Sequence, residues 1–254
     1  MALATNSETF YDAVANRHRL FYRDWPAFVK QEGSWLDNLL RPRGARSVLD
    51  CTCGIGTQAL ALALLGYEVS ASDLSDENLA QAQRGADEYG VSVAWHRGDV
   101  RALDQVSLAG PFDAVLSLGN SLSHLLTEAD MQTALRQMVD QTQPGGLVLV
   151  GQRDWEAIAA ERPRFQFRHE HLDTPAPGQR TVLWDLWSYD DPLVAFEVFF
   201  SQGGPEGWET EVFPLRYRMW RRREVMEMME EAGLSGVREV PCDWEVRLAG
   251  NRLR

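Results

Sequence analysis

Lysine is nearly absent from this 254-residue chain, in which Lys30 stands alone; acids outnumber Lys and Arg by 37 to 25, a formal net charge of −12. A surface so short of cations repels phosphates, so a nucleic-acid partner is not expected. Cysteine is scarce as well, with only Cys51, Cys53 and Cys242. An odd number, two of them at one predicted strand edge, argues against a disulfide framework and for a reducing compartment, the cytoplasm by default. Apolar runs such as Ala59–Leu65 fall far short of the roughly 20 residues of a membrane span, so no membrane partner is expected. Met1 to Phe10 has neither the basic start nor the apolar run of a leader peptide. What remains is 44% hydrophobic and 24% charged, the composition of an ordinary globular protein. A chain of this length buries roughly 70–75% of its unfolded surface and needs no staples.

The segment 1–46 reads as helical, with Trp25, Phe28, Trp35, Leu36, Leu39 and Leu40 at helical spacing. Between 47 and 151 short apolar runs alternate with helical patterns. Strands are predicted at Ser47–Leu49, Tyr67–Ala71, Val91–His96, Phe112–Leu118 and Leu147–Val150. Helices are predicted over Gly56–Leu65, after a Ser75 cap, and over Glu128–Gln141, and Gln143-Pro144-Gly145-Gly146 reads as a turn. Such alternation implies βαβ units, hence a Rossmann-like, doubly wound α/β fold with a mostly parallel sheet. From 152 to 220 the texture changes to four turn-punctuated strands, an antiparallel insertion after the fifth strand. A helix at Arg221–Ala232 and a strand at Val237–Val240 close the core across 221–254, and the tail after Asp243 leaves a last strand open.

The sharpest feature is Val48-Leu49-Asp50-Cys51-Thr52-Cys53-Gly54-Ile55-Gly56-Thr57, a strand, a glycine turn and a helix start. Gly54 and Gly56 let the chain bend and let a ligand approach main-chain atoms. Read as G-x-G-x-x-A it could serve a dinucleotide, and Asp73, nineteen residues beyond Gly54, could accept hydrogen bonds from ribose hydroxyls in either case. Asp50 separates the two readings. A pyrophosphate resting on helix N–H groups disfavours a carboxylate beside it. A ligand with a sulfonium and an ammonium, such as S-adenosylmethionine, welcomes one.

This segment resembles motif I of the class I S-adenosylmethionine-dependent methyltransferases, with Thr52 replacing the first glycine of the usual V-L-D-x-G-C-G-x-G. The resemblance implies that Asp50, Cys51, Gly54, Gly56, Asp73, Leu74, Asp99, Val100, Leu118 and His124 form the cofactor site. Leu118-Gly119-Asn120-Ser121-Leu122-Ser123-His124-Leu125 further resembles the L-G-N-S-x-x-H-L of glycine and sarcosine N-methyltransferases. Gln152-Arg153-Asp154-Trp155 is similar to their H-R-N-Y, and Gly151 stands where that family often has aspartate. Carried over, Asn120 and Arg153 contact the acceptor, the arginine through its carboxylate. Phe10-Tyr11-Asp12-Ala13-Val14-Ala15 resembles their Y-D-x-x-A opening, which makes residues 1–46 a lid. Tyr11, Tyr22 and Tyr217 are candidates to point hydroxyls at the reacting amine or sulfonium.

Each assignment has a plainer competitor. Arg153 could pair with Asp154 or Glu156 at the surface, Asn120 could serve only a Gly-Asn turn, and the tyrosine rings could pack the core. His169-Glu170-His171 offers two imidazoles but no obvious third ligand, so no metal is expected. The run Arg216–Arg223 reads as a solvated or subunit-facing surface, its helix-start arginines offset by Glu224, Glu227 and Glu230. The Trp-rich insertion, with Trp184, Trp187 and Trp208, offers a surface to a partner subunit, so a homo-oligomer is compatible with the sequence. The expected function is methyl transfer to a small amine that carries a carboxylate: glycine, sarcosine or a relative. The alternatives are another small N- or O-nucleophile as acceptor, or a cofactor-binding module without catalysis.

Overall fold

The computed structural model describes residues 7–253. Helices α1 (Ser7–Val14) and α2 (Trp25–Leu40) are separated by a 3-10 stretch, Ala15–Phe21, so the amphipathic N-terminal segment is two pieces rather than one. Asp24 caps α2, accepting from the Ala27 N–H at 3.0 Å. The core follows as β1 (Ser47–Asp50), α3 (Thr57–Leu64), β2 (Glu68–Asp73), α4 (Asp76–Tyr89), β3 (Ala94–Arg97), β4 (Phe112–Ser117), α5 (Glu128–Gln141) and β5 (Thr142–Gln152). Ser75 caps α4 as expected, accepting from the Asn78 N–H at 3.0 Å.

The main sheet has seven strands, which with β10 (Leu234–Val240) and β11 (Val246–Arg252) from the end of the chain run in the order β10-β11-β5-β4-β1-β2-β3. The chain builds outward from β1 to β3, then returns to lay β4 on the other side of β1. The carboxyl ends of β1 and β4 therefore border the crevice in which such sheets bind ligands. From Leu147 to Gln152, β5 is buried without a break, as a parallel strand covered on both faces must be.

The second sheet is β6 (Phe165–Leu172), β7 (Arg180–Asp190), β8 (Leu193–Gly204) and β9 (Gly207–Arg218), antiparallel throughout. Its inner face buries Leu183, Trp187, Phe196, Val198 and Tyr217 against Phe10 and Val14 of the N-terminal segment. The chain then adds α7 (Arg222–Glu231), β10 (Leu234–Val240) and β11 (Val246–Arg252).

Several sequence expectations need correction. The Gln143–Gly146 turn is absorbed into β5, where pairing jumps from Phe112↔Thr142 to Ala114↔Leu147, a bulge rather than a free turn. Val91 belongs to the C-terminal cap of α4, its N–H donating to Ala86 O, so β3 begins three residues later than predicted. The tail does supply a last strand: β11 runs antiparallel to β5 and to β10. A helix the sequence did not announce, α6 (Trp155–Glu161), is capped by Asp154. Trp187 faces inward at 2% exposure, so it is not part of any partner surface, whereas Trp208 is exposed. Of the helix-start arginines, Arg223 pairs with Glu227, but Arg222 reaches Asp154, Glu156 and Glu239 instead. Among the described residues no helix is long and apolar enough to cross a membrane, and no cluster of three His, Cys, Asp or Glu could hold a metal ion.

Candidate active site

Five chain segments meet at one edge of the main sheet. β1 ends at Asp50, β2 at Asp73, β4 leads into the Leu118–Asn120 turn, and β5 leads into Arg153. Because β11 runs the opposite way, its beginning brings Glu245 to the same edge.

A cleft of about 380 Å³ opens there, lined by Cys51, Asp73, Leu74, Asp99, Val100 and His124, and covered by Ser7, Glu8 and Tyr11 of α1. It continues past Thr52, Gly54, Leu118, Gly119 and Tyr22 into a second space of about 340 Å³. Asn120, Arg153, Tyr217, Glu32 and Glu245 line that second space.

Asp73 closes the glycine loop. One carboxylate oxygen accepts from the Gly54 N–H at 2.8 Å and the other from the Ser75 N–H at 3.0 Å. Burial nonetheless raises its pKa, because those two donors only partly replace water. Asp50 lies beneath the same loop, 1% exposed, with the backbone N–H groups of Thr52 and Ala59 beside it. Burial pushes its carboxyl up to about 7, and its Oδ2 has no hydrogen-bond partner. Asp50, expected to touch the cofactor, is not among the residues that line either space. Asp73, which lines the cleft, suits ribose hydroxyls and repels a pyrophosphate. The residues present therefore fit S-adenosylmethionine: Asp73 and Leu74 for the ribose side, Asp99 and Val100 for the base, Gly54, Leu118 and Gly119 for the amino-acid end.

Asp99 is not a free acid, since Arg101 holds it at 2.6 Å and also reaches Asp130 at 2.9 Å. Gly56, expected to touch the cofactor, is turned away from the cleft. Its φ is +83°, and a Cβ there would lie 2.9 Å from Trp95 and 3.2 Å from the Ala82 side chain. It packs α3 against α4 and β3. Cys51 and Cys53 are buried free thiols whose pKa burial raises well above the usual range, so neither is a nucleophile.

Tyr11 and His124 join α1 to the turn after β4 through a 3.0 Å hydrogen bond between Oη and Nε2. The His124 ring also packs on Tyr217, centroids 4.6 Å apart. Burial, helped by the Arg153 charge, lowers His124 to about 3, so it is neutral and no base at physiological pH. The Tyr11 and Tyr22 phenols remain protonated, Tyr11 well above its ordinary pKa and Tyr22 pushed up to about 12, in both cases chiefly by burial.

Asn120 adopts a left-handed backbone, φ +71°, directly after left-handed Gly119. Its Oδ1 accepts from the Arg153 N–H at 3.1 Å and from Ser123 Oγ at 2.8 Å. Its Nδ2 is buried without a partner. Arg153 does not pair with Asp154 or Glu156, which Arg222 occupies. Among the described residues its guanidinium meets no carboxylate at ion-pair distance and instead lies 5.4–5.8 Å from the ring centres of Phe196, Trp187 and Tyr217. Burial pulls its pKa down, as does the neighbouring Arg168, itself paired with Asp185 at 2.7 Å. An unpaired guanidinium and an orphaned amide N–H donor thus share one pocket.

Comparison with known proteins agrees with this geometry. Residues 48–146 match the family described as "Methyltransferase domain". Glycine/sarcosine N-methyltransferase of Parasynechococcus marenigrum (strain WH8102) is 30% identical over 218 residues, covering 84% of this chain and 72% of that protein. The enzyme of the same description from Halorhodospira halochloris is 28% identical over 214 residues, covering 84% and 75%. Among solved structures, an S-adenosylmethionine-bound amino pentose methyltransferase from Micromonospora echinaspora superposes with a TM-score of 0.74 at 20% identity, over 94% of this chain and 96% of that one.

The chain belongs to the class I S-adenosylmethionine-dependent methyltransferases. Within that class it is an enzyme similar to the glycine/sarcosine N-methyltransferases.

Sequence reasoning missed Glu32, Arg168, Trp244, Glu245 and Arg247. Glu32 looks like a surface charge on α2, and Glu245 lies in a short tail whose alternation spans only Trp244–Leu248. The one available signal was the isolated apolar-and-charged run Trp244–Leu248.

Proposed function

We propose that the protein transfers a methyl group to the nitrogen of a small, carboxylate-bearing amine: glycine, sarcosine or a related amino acid. The observation that carries this reading is the unpaired Arg153 guanidinium beside the unpartnered Asn120 Nδ2. A planar two-donor fork with no protein carboxylate is suited to a substrate's carboxylate. The stretch Leu118–Ser121 and Arg153 resemble motifs of the glycine and sarcosine N-methyltransferases, to which the chain is similar at 28–30% identity.

S-adenosylmethionine supplies an electrophilic methyl group on a sulfonium. This chain's part is to hold an unprotonated amine in line with the breaking C–S bond. Arg153 anchors the carboxylate, Asn120 fixes the approach, and Tyr11, Tyr22 and Tyr217 offer phenol oxygens around the reacting centre. Such positioning is worth up to about 7–11 kcal/mol in favourable reactions. Residues 7–46 act as the lid, 47–151 as the cofactor-binding core, 152–220 as the wall of the acceptor pocket, and 221–253 as the core's closing helix and strands; positions 1–6 and 254 of the expected segments lie outside the described residues. The free, buried thiols suit a reducing compartment.

The test is incubation with methyl-labelled S-adenosylmethionine and a panel of amino acids, amines and small alcohols. Transfer to glycine or sarcosine supports the proposal. Transfer only to an acceptor without a carboxylate, or cofactor binding with no transfer to any, defeats it.

A further inference from the structure

The floor of the acceptor pocket carries an acidic group that sequence comparison alone does not assign. A Cβ on Gly151 would lie 2.5 Å from the Glu245 carboxyl carbon. The carboxylate therefore fills the space into which a side chain at the end of β5 would otherwise project. Its Oε1 accepts from the Asn120 N–H at 3.2 Å and its Oε2 from Arg247 Nε at 3.0 Å. Arg247 is already committed to Glu32 by two bonds of 2.5 and 2.8 Å. Two carboxylates, Glu32 and Glu245, thus share one guanidinium, and all three side chains are at most 8% exposed. One negative charge is left over at a pocket wall. The unpaired Arg153 lines the same space, and Asn120 bridges the two residues, its N–H donating to Glu245 and its Oδ1 accepting from the Arg153 N–H.

We propose that Glu245 binds the acceptor's cationic nitrogen, so that this pocket selects molecules with a positive and a negative pole. The inference rests on the acceptor reading above and adds the second pole. A buried excess of negative charge beside an orphaned amide is costly when empty and is relieved by an ammonium. Glu245 also gives the departing proton a place to go. The ammonium passes one proton to the carboxylate, the freed lone pair attacks the methyl carbon, and the C–S electron pair leaves on sulfur. The methylated ammonium that forms still carries a proton, and Glu245 releases its own to solvent when product departs.

The experiment is calorimetric titration of the protein saturated with S-adenosylhomocysteine, using three probes: sarcosine (both poles), N-acetylglycine (carboxylate only) and ethylamine (cation only). Sarcosine is expected to bind wild type at least about tenfold more tightly than either one-poled probe. Glu245→Gln should lower sarcosine affinity about 10- to 100-fold and leave N-acetylglycine unchanged. Gly151→Asp places a carboxylate in the same space from β5. The double variant Glu245→Ala/Gly151→Asp should regain most of the sarcosine affinity, which a merely structural Glu245 does not allow. Equal losses for sarcosine and N-acetylglycine in Glu245→Gln, with no recovery in the double variant, overturn the proposal, as does failure of all three probes to bind. Ethylamine that binds as well as sarcosine and weakens in Glu245→Gln supports the Glu245 pole while defeating the Arg153 reading.

Discussion

Tyr11 and His124 lie 113 residues apart in sequence, yet their side chains are joined by a 3.0 Å hydrogen bond that fastens the first helix over the cofactor cleft. Tyr11 also stacks on His18 and meets Phe10 edge-on, so the ring itself is held without the hydroxyl. Tyr11→Phe should therefore keep the fold while loosening the lid. A neutral hydrogen bond contributes about 0.5–1.5 kcal/mol, so S-adenosylhomocysteine affinity is expected to fall about 2- to 10-fold. Calorimetric titration checks this; unchanged affinity with unchanged melting would remove the bond from the lid's function.

Asp73→Asn should cost more. The carboxylate orders Gly54 and Ser75 and faces the cleft, so its loss weakens the loop as well as any contact to ribose hydroxyls. A charge-assisted hydrogen bond is worth about 1.5–3 kcal/mol, which sets a loss of at least tenfold in cofactor affinity. The variant should still fold, as judged by circular dichroism and a cooperative melt.

Arg153→Lys separates acceptor from cofactor. Lysine keeps the charge and loses the planar fork. The acceptor's KM should rise about tenfold or more while cofactor affinity is unchanged, because Arg153 lines the second space and not the first. Asn120→Ala should lower kcat as well, since it frees both the Arg153 N–H and Ser123 Oγ. Steady-state kinetics with the acceptor identified by the panel decide between these patterns.

The pH dependence of stability should carry the signature of Asp50. Its folded carboxyl titrates at about 7, whereas an unperturbed aspartate titrates near 3.9. Between those values the folded state holds a proton that the unfolded chain has lost. Stability therefore falls as pH rises through this window, by up to about 1.4 kcal/mol per pH unit for one proton. Asp50→Asn removes that slope. The variant should melt above wild type at pH 8, with a smaller advantage at pH 5, and should bind the cofactor more weakly. Equal melting shifts at both pH values would contradict the assignment.

Gly56→Ala tests a residue whose role differs from its motif. With φ at +83° and Trp95 2.9 Å from the added carbon, alanine is strained and crowded together. A loss of about 2–4 kcal/mol in unfolding free energy is expected from these two causes combined, measured by chemical denaturation.

Such differences show what could be read in advance. The α/β core was legible because Val48–Asp50, Phe112–Ser117 and Leu147–Val150 are compact apolar runs set between helical patterns, and burial of both sheet faces demands that texture. The placing of Asp73 at the cleft was legible from its position at a predicted strand's end, and that of Asn120 and Arg153 through the resemblance of Leu118–Leu125 and Gln152–Trp155 to family motifs. Gly56 was misplaced because a glycine that permits ligand approach and one that permits helix packing look identical in sequence. Glu32, Glu245 and Arg247 were invisible for a different reason: their meaning lies in a pairing across more than two hundred positions, and no local pattern encodes it.

That pairing has a consequence for how the enzyme comes into being. Glu32 emerges early in synthesis and Arg247 late, 215 positions further on. Until the last strand docks, the helix carries a carboxylate with no countercharge, and water must remain around it. The first space is lined by residues at the ends of β1 and β2 and after β4, whereas the second also needs Trp244 and Glu245 from the approach to β11. Docking of the final strand is what sets Glu245 beside Asn120 and completes the wall of the second space.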